Sequence, residues 1–125
     1  MKLLFTAFFA CFTWAVARVQ TGDPVMTFEV TAIDYGIIDK GANPIRKFKF
    51  TNTGNEPLII KSAKPSCSCV KAIYPQAPLM PGESALVEAN YDTQQLGNFI
   101  KTITITTNET ESTHTLTIKG ETKLP

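Results

Sequence analysis

The chain has 125 residues, of which 43% are apolar and 18% are charged, and its formal net charge is +1. This balance excludes a protein that coats nucleic acid, an acidic tail and a disordered polymer. The length fits one domain. We therefore expect a single folded domain that binds no nucleic acid.

The first 17 residues have the pattern of a secretory signal peptide. Lys2 precedes an apolar run, and the segment ends at Ala15-Val16-Ala17. The run is shorter than the roughly 20 residues that span a bilayer. An N-terminal strand or helix of the core is an alternative interpretation. We expect a signal peptide at 1–17, a flexible segment at 18–24, and a secreted or periplasmic mature protein that is not transmembrane.

Cys11 offers a second processing site within the same segment. Phe8-Phe9-Ala10-Cys11 resembles a bacterial lipobox, with Phe8 where leucine is usual. Cleavage before Cys11 would leave a lipid-anchored protein. The sequence leaves Ala17 and Cys11 open as alternative processing sites.

Apolar and polar residues then alternate with a period of two, and no window of ten or more residues has a helical stripe. This alternation predicts β-strands, and eight threonines between Thr102 and Thr117 agree with it. The apolar positions expected to face a core are Phe28, Val30, Phe48, Phe50, Val87, Ala89, Tyr91, Phe99, Ile103, Ile105, Leu116 and Ile118.

Segments rich in glycine, proline and asparagine separate these runs, as turns require. About seven short strands in this length predict an all-β, immunoglobulin-like antiparallel β-sandwich. We place this domain at residues 25–122. Within it, Asn52, Gly54 and Pro57 are predicted to shape one turn: the asparagine bonds the turn backbone, the glycine takes a positive φ, and the proline starts the next strand.

Cys67 and Cys69 are the residues with the clearest chemical potential. In an extended strand their Cα atoms would lie about 6.6 Å apart, at the upper edge of the disulfide range. Three interpretations stay open: a reducible disulfide, a soft-metal site completed by Met80 or His114, or two small apolar residues at a bend.

The remaining polar residues that could take part in chemistry are expected to have structural roles instead. His114 shares the strand parity of Leu116 and is expected at the rim of the core, and no nucleophile motif supports a catalytic triad around it. Three acids beside turns are expected to cap or bracket them: Asp34, Glu83 and Asp92. Residues 108–110 match an N-glycosylation sequon, which is uninformative in a bacterial host.

Charge is unevenly distributed along the chain. Six cations face a single acid, Glu56, between positions 46 and 71: Arg46, Lys47, Lys49, Lys61, Lys64 and Lys71. If their strands share a sheet face, that face would suit an anionic polysaccharide, lipid head groups or an acidic protein. The alternative is a solvated surface whose charges pair across strands.

Several short motifs are spread along the predicted domain. Residues 48–58 have the sequence F-K-F-T-N-T-G-N-E-P-L, residues 33–36 have I-D-Y-G, and residues 66–69, 81–84 and 91–93 have S-C-S-C, P-G-E-S and Y-D-T. Together these segments resemble motifs of the DUF1573 family of bacterial secreted domains, whose core is F-x-F-T-N-T-G-x-x-P-L. The sequence differs at Ser68 and Val70, where glycine and threonine are common. The resemblance implies an exported or envelope-associated immunoglobulin-like sandwich, related to the wider major sperm protein and Hydin-type group, with no established activity.

These observations predict a non-catalytic binding or scaffolding module without a cofactor. It would engage another envelope or secreted protein through a sheet edge, by strand addition, or through a loop surface. The alternative is a small redox or soft-metal-binding protein that uses Cys67 and Cys69. A hydrolase is disfavoured because no catalytic constellation is present in the sequence.

Overall fold

The computed structural model describes residues 22–125. The predicted signal peptide and the Cys11 site lie outside the described residues. The described part contains eight β-strands: β1 (Met26–Phe28), β2 (Ala32–Asp39), β3 (Ile45–Asn52), β4 (Ile60–Pro65), β5 (Val70–Ile73), β6 (Ser84–Tyr91), β7 (Gly97–Thr107) and β8 (Thr113–Lys123). Across residues 22–125 no helix is long and apolar enough to cross a membrane.

The strands form two sheets of four. Sheet 1 has the order β1-β3-β6-β5, and sheet 2 has the order β2-β8-β7-β4. Alternate residues of each sheet point into the space between them, where they form one apolar core. The predicted all-β, immunoglobulin-like sandwich is therefore confirmed.

The predicted core positions are confirmed with one exception. Phe48, Val87, Ile105 and Leu116 are completely buried, as the alternation of their strands requires. Val30 was expected to share the inner face with Phe28, but half of its surface is exposed. It lies beyond the end of β1, where the chain leaves sheet 1 to enter sheet 2 at β2.

One strand pair runs in a direction that the sequence pattern did not predict. β2 pairs with β8 in parallel, whereas the other paired strands are antiparallel. Hairpins join antiparallel neighbours, but β2 follows a crossover between the two sheets and so can enter in either direction. A register shift between Asp34 and Ile37 interrupts this pair.

The connections between the strands lie at two opposite ends of the sandwich. At the loop end, three connections lie together: residues 40–44 between β2 and β3, residues 66–69 between β4 and β5, and residues 92–96 between β6 and β7. At the turn end lie the turn at 53–57 and the β7–β8 hairpin, together with the beginning of the described chain, where the Asn55 N–H donates to the Asp23 carbonyl at 3.3 Å.

Candidate functional site

The segment Ser66-Cys67-Ser68-Cys69 connects sheet 2 to sheet 1, and each of its ends is fixed to one sheet. The Ser66 N–H donates to the Thr102 carbonyl on β7 at 2.8 Å, and the Thr102 N–H donates to Ser66 Oγ at 3.0 Å. At the other end, the Asp92 N–H donates to the Cys69 carbonyl at 2.8 Å. The position of the segment is thus set by both layers of the fold.

Cys67 and Cys69 are joined by a disulfide, with their Cα atoms 5.1 Å apart. The chain bends at this point, because the Val70 N–H donates to the Cys67 carbonyl at 3.2 Å and closes a turn. The bend brings the two residues closer than an extended strand would. Cys69 is buried and Cys67 is partly exposed, so the disulfide reaches the surface through Cys67.

An open cleft of about 430 Å³ lies beside this disulfide at the loop end. All three loops contribute to it, together with the ends of β5 and β6. Its lining residues are Gly41, Ala42, Pro44, Ser68, Cys69, Lys71, Asn90, Tyr91, Asp92, Thr93 and Gln94. Hydroxyl, amide, ammonium and carboxylate groups are all present, so the cleft can both donate and accept hydrogen bonds.

Two of the loops that form the cleft are joined by hydrogen bonds. Buried Thr93 donates its hydroxyl to the Ala42 carbonyl at 2.8 Å, and the Gly41 N–H donates to the Thr93 carbonyl at 3.1 Å. Gly41 has a φ of 82°, a conformation that a side chain would disfavour. Asp92 accepts the Gln94 N–H at 3.0 Å and so brackets its turn, as the sequence predicts. These hydrogen bonds fix two walls of the cleft relative to each other.

A cluster of aromatic rings supports the cleft from the core. Tyr91 stacks on Phe99 with ring centroids 3.9 Å apart, and Tyr35 packs edge-on against both rings. The Tyr35 hydroxyl donates to the Pro44 carbonyl at 2.7 Å, and the Arg46 guanidinium lies 4.1 Å from the Tyr35 ring centre. These contacts attach the β2–β3 loop to the core.

The same packing affects the ionisation of both tyrosines. Burial raises the pKa of Tyr35 above its ordinary value of 10.0, and the nearby Arg46 opposes this only in part. Burial also raises the pKa of Tyr91, and the negative charge of Asp92 adds to the effect. Both groups stay neutral and apolar in the core across the physiological pH range.

The structure does not bring the predicted soft-metal ligands together. Met80 precedes β6, whereas Cys69 lies beside Asp92, just past the other end of that strand. The two positions are separated by the length of an eight-residue strand, roughly 23 Å. His114 is the second residue of β8, at the turn end, so neither Met80 nor His114 can complete a site on the cysteines. Among residues 22–125 there is no group of three or more His, Cys, Asp or Glu suited to a metal ion.

His114 instead pairs with Glu109 in the β7–β8 hairpin. Its Nε2 lies 2.6 Å from Glu109 Oε1, which also accepts the Thr107 hydroxyl at 2.7 Å. The other carboxylate oxygen accepts the Met26 N–H of β1 at 3.1 Å. Sequence reasoning missed Glu109, although its position five residues before His114 across a predicted hairpin was an available signal.

Asn108, the acceptor of the sequon, is used by the fold. Its amide nitrogen donates to the Pro57 carbonyl at 3.0 Å, and its amide oxygen accepts the Ile59 N–H at 2.9 Å. The side chain therefore ties the β7–β8 hairpin to the segment before β4.

Asn52 lies at the centre of the 53–57 turn and is completely buried. Its amide oxygen accepts the N–H groups of Val25 and Gly54, and its amide nitrogen donates to the carbonyls of Glu56 and Leu79. Every bond is to backbone, at distances from 2.7 to 3.3 Å. One side chain thus joins three segments of the chain.

Gly54 is required for a reason that differs from the predicted one. It is absent from the glycines with positive φ in the described chain. A Cβ atom at this position would instead collide with the backbone of Asp23, Pro24 and Val25. Pro57 does not begin a strand directly, since β4 starts at Ile60 after an isolated bridge between Leu58 and Leu79.

The other two acids predicted to bracket turns also bond backbone. Asp34 Oδ1 accepts the Gly36 N–H at 2.8 Å, at the register shift of β2. Glu83 Oε1 accepts the Met80 N–H at 3.2 Å, at the start of β6.

The six clustered cations do not lie on one sheet face. The predicted basic face for an anionic partner required that arrangement, which the structure does not show. Lys47, Lys49 and Lys71 lie on sheet 1, whereas Lys61 and Lys64 lie on β4 in sheet 2. Arg46 covers Tyr35. Lys47 pairs with Glu88 at 3.8 Å and Lys49 with Glu29 at 3.6 Å, so two of the charges are paired across strands.

The described fold and site define an immunoglobulin-like β-sandwich module with a loop-end cleft. The chain belongs to the family described as "Protein of unknown function (DUF1573)", whose model matches residues 26–122. No curated protein sequence matches the chain.

Solved structures show the same fold in distant proteins. A protein of unknown function from Porphyromonas gingivalis W83 is 22% identical, with a TM-score of 0.67 over 78% of this chain and 46% of its own. This chain therefore spans about half the length of that protein. The ASH/PapD-like domain of human CEP192 is 10% identical, with a TM-score of 0.66 over 82% of this chain and 88% of its own.

A third similar structure is the CsuC-CsuE chaperone–tip adhesion subunit pre-assembly complex of Acinetobacter baumannii. It is 9% identical, with a TM-score of 0.58 over 79% of this chain and 57% of its own. At these identities the similarities establish the fold alone.

Proposed function

We propose that this protein is a non-catalytic binding module of the cell envelope and that the loop-end cleft is its binding surface. The observation that supports this most is the convergence of three loops on one cleft whose walls are fixed by internal hydrogen bonds. A surface that is ordered before its partner arrives loses less conformational entropy on binding. The chain's single histidine, His114, lies at the turn end, away from the cleft, where it is hydrogen-bonded to Glu109.

The edge strands favour a loop surface over strand addition. β1 has three residues, and Glu109 occupies its Met26 N–H. β2 is interrupted between Asp34 and Ile37, and β4 has a register shift and ends at Pro65, which has no N–H to donate. β5 has four residues. Short, interrupted or proline-ended edges discourage pairing with a further strand.

The partner is another exported protein. The cleft presents one cation, Lys71, and one anion, Asp92, among neutral amides and hydroxyls. A peptide segment has donors and acceptors of this kind, whereas an anionic polysaccharide or lipid surface would need a concentrated positive field. The cations of this chain are divided between the two sheets instead.

The processing of the predicted leader would decide whether the module is anchored to the membrane. The described chain begins at the turn end, where the Thr53 N–H donates to the Val25 carbonyl at 2.9 Å. A lipid anchor at Cys11 would attach the module to the membrane through its turn end, and cleavage after Ala17 would release the module. Intact mass of the exported protein distinguishes these two forms.

Site-specific photo-crosslinking in the producing cell tests the binding surface. A photoreactive residue is placed at Gln94 in the cleft, with exposed Asn55 at the turn end as the matched position. The proposal requires a discrete protein adduct from Gln94 that is absent from Asn55. An adduct from Asn55 alone, or none from either position, would contradict it.

The Cys67–Cys69 disulfide supports a second candidate function, reversible dithiol–disulfide exchange. It borders the open cleft, and Cys67 is partly exposed. In the reaction, a thiolate of a dithiol partner attacks one sulfur and breaks the S–S bond. The partner's second thiolate then resolves the mixed disulfide, so the partner is oxidised to a disulfide and two protonated cysteine thiols remain.

Thiol titration in a series of dithiol buffers tests this alternative, with metal analysis of the same samples. Reversible appearance of two thiols in the folded protein supports it. A disulfide that resists reduction until the protein unfolds would remove it, and it would leave the binding proposal intact.

A further inference from the structure

Two highly exposed apolar side chains lie toward the loop end of sheet 2. Ile37 and Ile100 are 66 and 70% exposed, and we name these two residues the apolar patch. Both line one open groove of about 520 Å³.

The strand geometry keeps the patch out of the core. Ile100 alternates with buried Phe99, so the two side chains point to opposite faces of the sheet. Ile37 follows the register shift of β2 and pairs with Glu121, which is two residues from Lys119, the partner of Ile100. A single exposed apolar residue is ordinary, whereas two that line the same groove indicate a contact site.

The charges around the patch indicate which partner fits it. Lys119 and Glu121 lie on β8 between the two isoleucines, and Asp34 pairs with Lys119 in the register of β2. None of these three groups forms an ion pair with another residue of the described chain. Positive and negative charges are both present around the patch, so a strongly charged partner would gain no net attraction at this surface.

We propose that the apolar patch is the contact surface of a two-fold dimer, so that its occupant is a second copy of this chain. A two-fold axis requires a self-complementary surface. Here each copy supplies two isoleucines at the groove, a cation in Lys119, and anions in Glu121 and Asp34 for the other copy's lysine. We expect a weak, concentration-dependent dimer, because a standard interface buries roughly 800 Å² per partner and this contact has two apolar residues at its centre.

The dimer contact and the loop-end cleft can be used together. The groove and the cleft share no lining residue, and the strand residues of the groove belong to sheet 2 whereas those of the cleft belong to sheet 1. Two clefts in one dimer would bind a repeated or clustered partner with greater avidity than one. The dimer itself does not depend on the proposed function of the cleft.

Sedimentation equilibrium of the mature domain tests the dimer, over concentrations up to about 1 mM. We expect a monomer–dimer equilibrium that Ile100→Asp weakens by at least about tenfold, since a charge replaces a central apolar contact. Ile73→Asp is the matched control, because Ile73 is 55% exposed on β5 in the other sheet. It should leave the equilibrium unchanged.

A charge exchange tests the role of the polar groups. Lys119→Glu should weaken the dimer, and the double variant Lys119→Glu/Glu121→Lys should restore it, with circular dichroism showing that each variant is folded. A wild-type domain that stays monomeric at every concentration overturns the proposal. Equal weakening by Ile100→Asp and Ile73→Asp overturns it as well.

Discussion

Glu109 and His114 face each other across the β7–β8 hairpin, with Oε1 and Nε2 2.6 Å apart, and together they fasten β1 to the sandwich. Glu109 Oε2 accepts the Met26 N–H at 3.1 Å, and the His114 ring packs edge-on against Phe28 at 5.9 Å. A hairpin of sheet 2 thereby secures a three-residue strand of sheet 1. So short a strand depends on such contacts because it has few ladder hydrogen bonds of its own.

Replacing Glu109 with alanine should therefore lower the free energy of unfolding by about 2–3 kcal/mol, since buried donors lose their acceptor. Urea denaturation measures this loss. Glu111→Ala is the matched control, because Glu111 is an exposed acid of the same hairpin, and it should cost less than about 0.5 kcal/mol. Equal effects of the two variants would show that the contacts of Glu109 do not stabilise β1.

Asn52→Ala should be among the most destabilising substitutions in the chain. It removes four hydrogen bonds from backbone groups of three segments, and we expect a loss of about 3 kcal/mol or more. Exposed Asn55, three residues later in the same turn, provides the comparison through Asn55→Ala. Thermal and urea unfolding of the two variants should differ clearly, and a loss below about 1 kcal/mol for Asn52→Ala would refute the assigned role.

The raised pKa of Tyr35 predicts loss of stability in alkali. Above about pH 10 the unfolded chain releases this proton while the folded protein retains it, so the free energy of unfolding falls as pH rises through that window. Below pH 10 the contribution is fully present. Tyr35→Phe should lower stability at neutral pH, through the lost bond to Pro44, and should also flatten the decline above about pH 10. An unchanged slope in the variant would contradict burial as the cause.

The disulfide should contribute little to stability, because it closes a very short loop. For a ring of three residues the loop-entropy model gives about 1–2 kcal/mol, so Cys67→Ser/Cys69→Ser should remain folded. The control is Ser68→Ala, within the same loop and exposed. Circular dichroism and urea unfolding are the measurements, and an unfolded double variant would show that the disulfide is essential to the sandwich.

The alternation of side chains made much of the core predictable from sequence. Phe48, Phe50, Ile105 and Leu116 occupy the inner positions that a period of two assigns to them. The alternation of side chains is set locally by the extended backbone. Burial of one sheet face keeps that alternation in the folded protein. The prediction for Val30 was wrong because β1 ends at Phe28. The end of a strand depends more on its pairing partners than on its own residues.

The cleft and the contacts that support it were not predictable in the same way. The Glu109–Met26 bond joins residues 83 positions apart, and the cleft unites three loops that are distant in sequence. Gly54 illustrates the difference. Its place in a turn suggested a special backbone conformation, but the approach of residues 23–25 is what excludes a side chain.

Chemical-shift mapping with the purified partner, once crosslinking has identified it, tests the central claim most directly. A titration of the isotope-labelled domain should perturb amides of Gly41, Ser68, Lys71 and Gln94 at the loop end. Amides around Asn52 and Glu109 at the turn end should not move. Perturbations confined to the turn end or to the open edge of β2 would contradict the account.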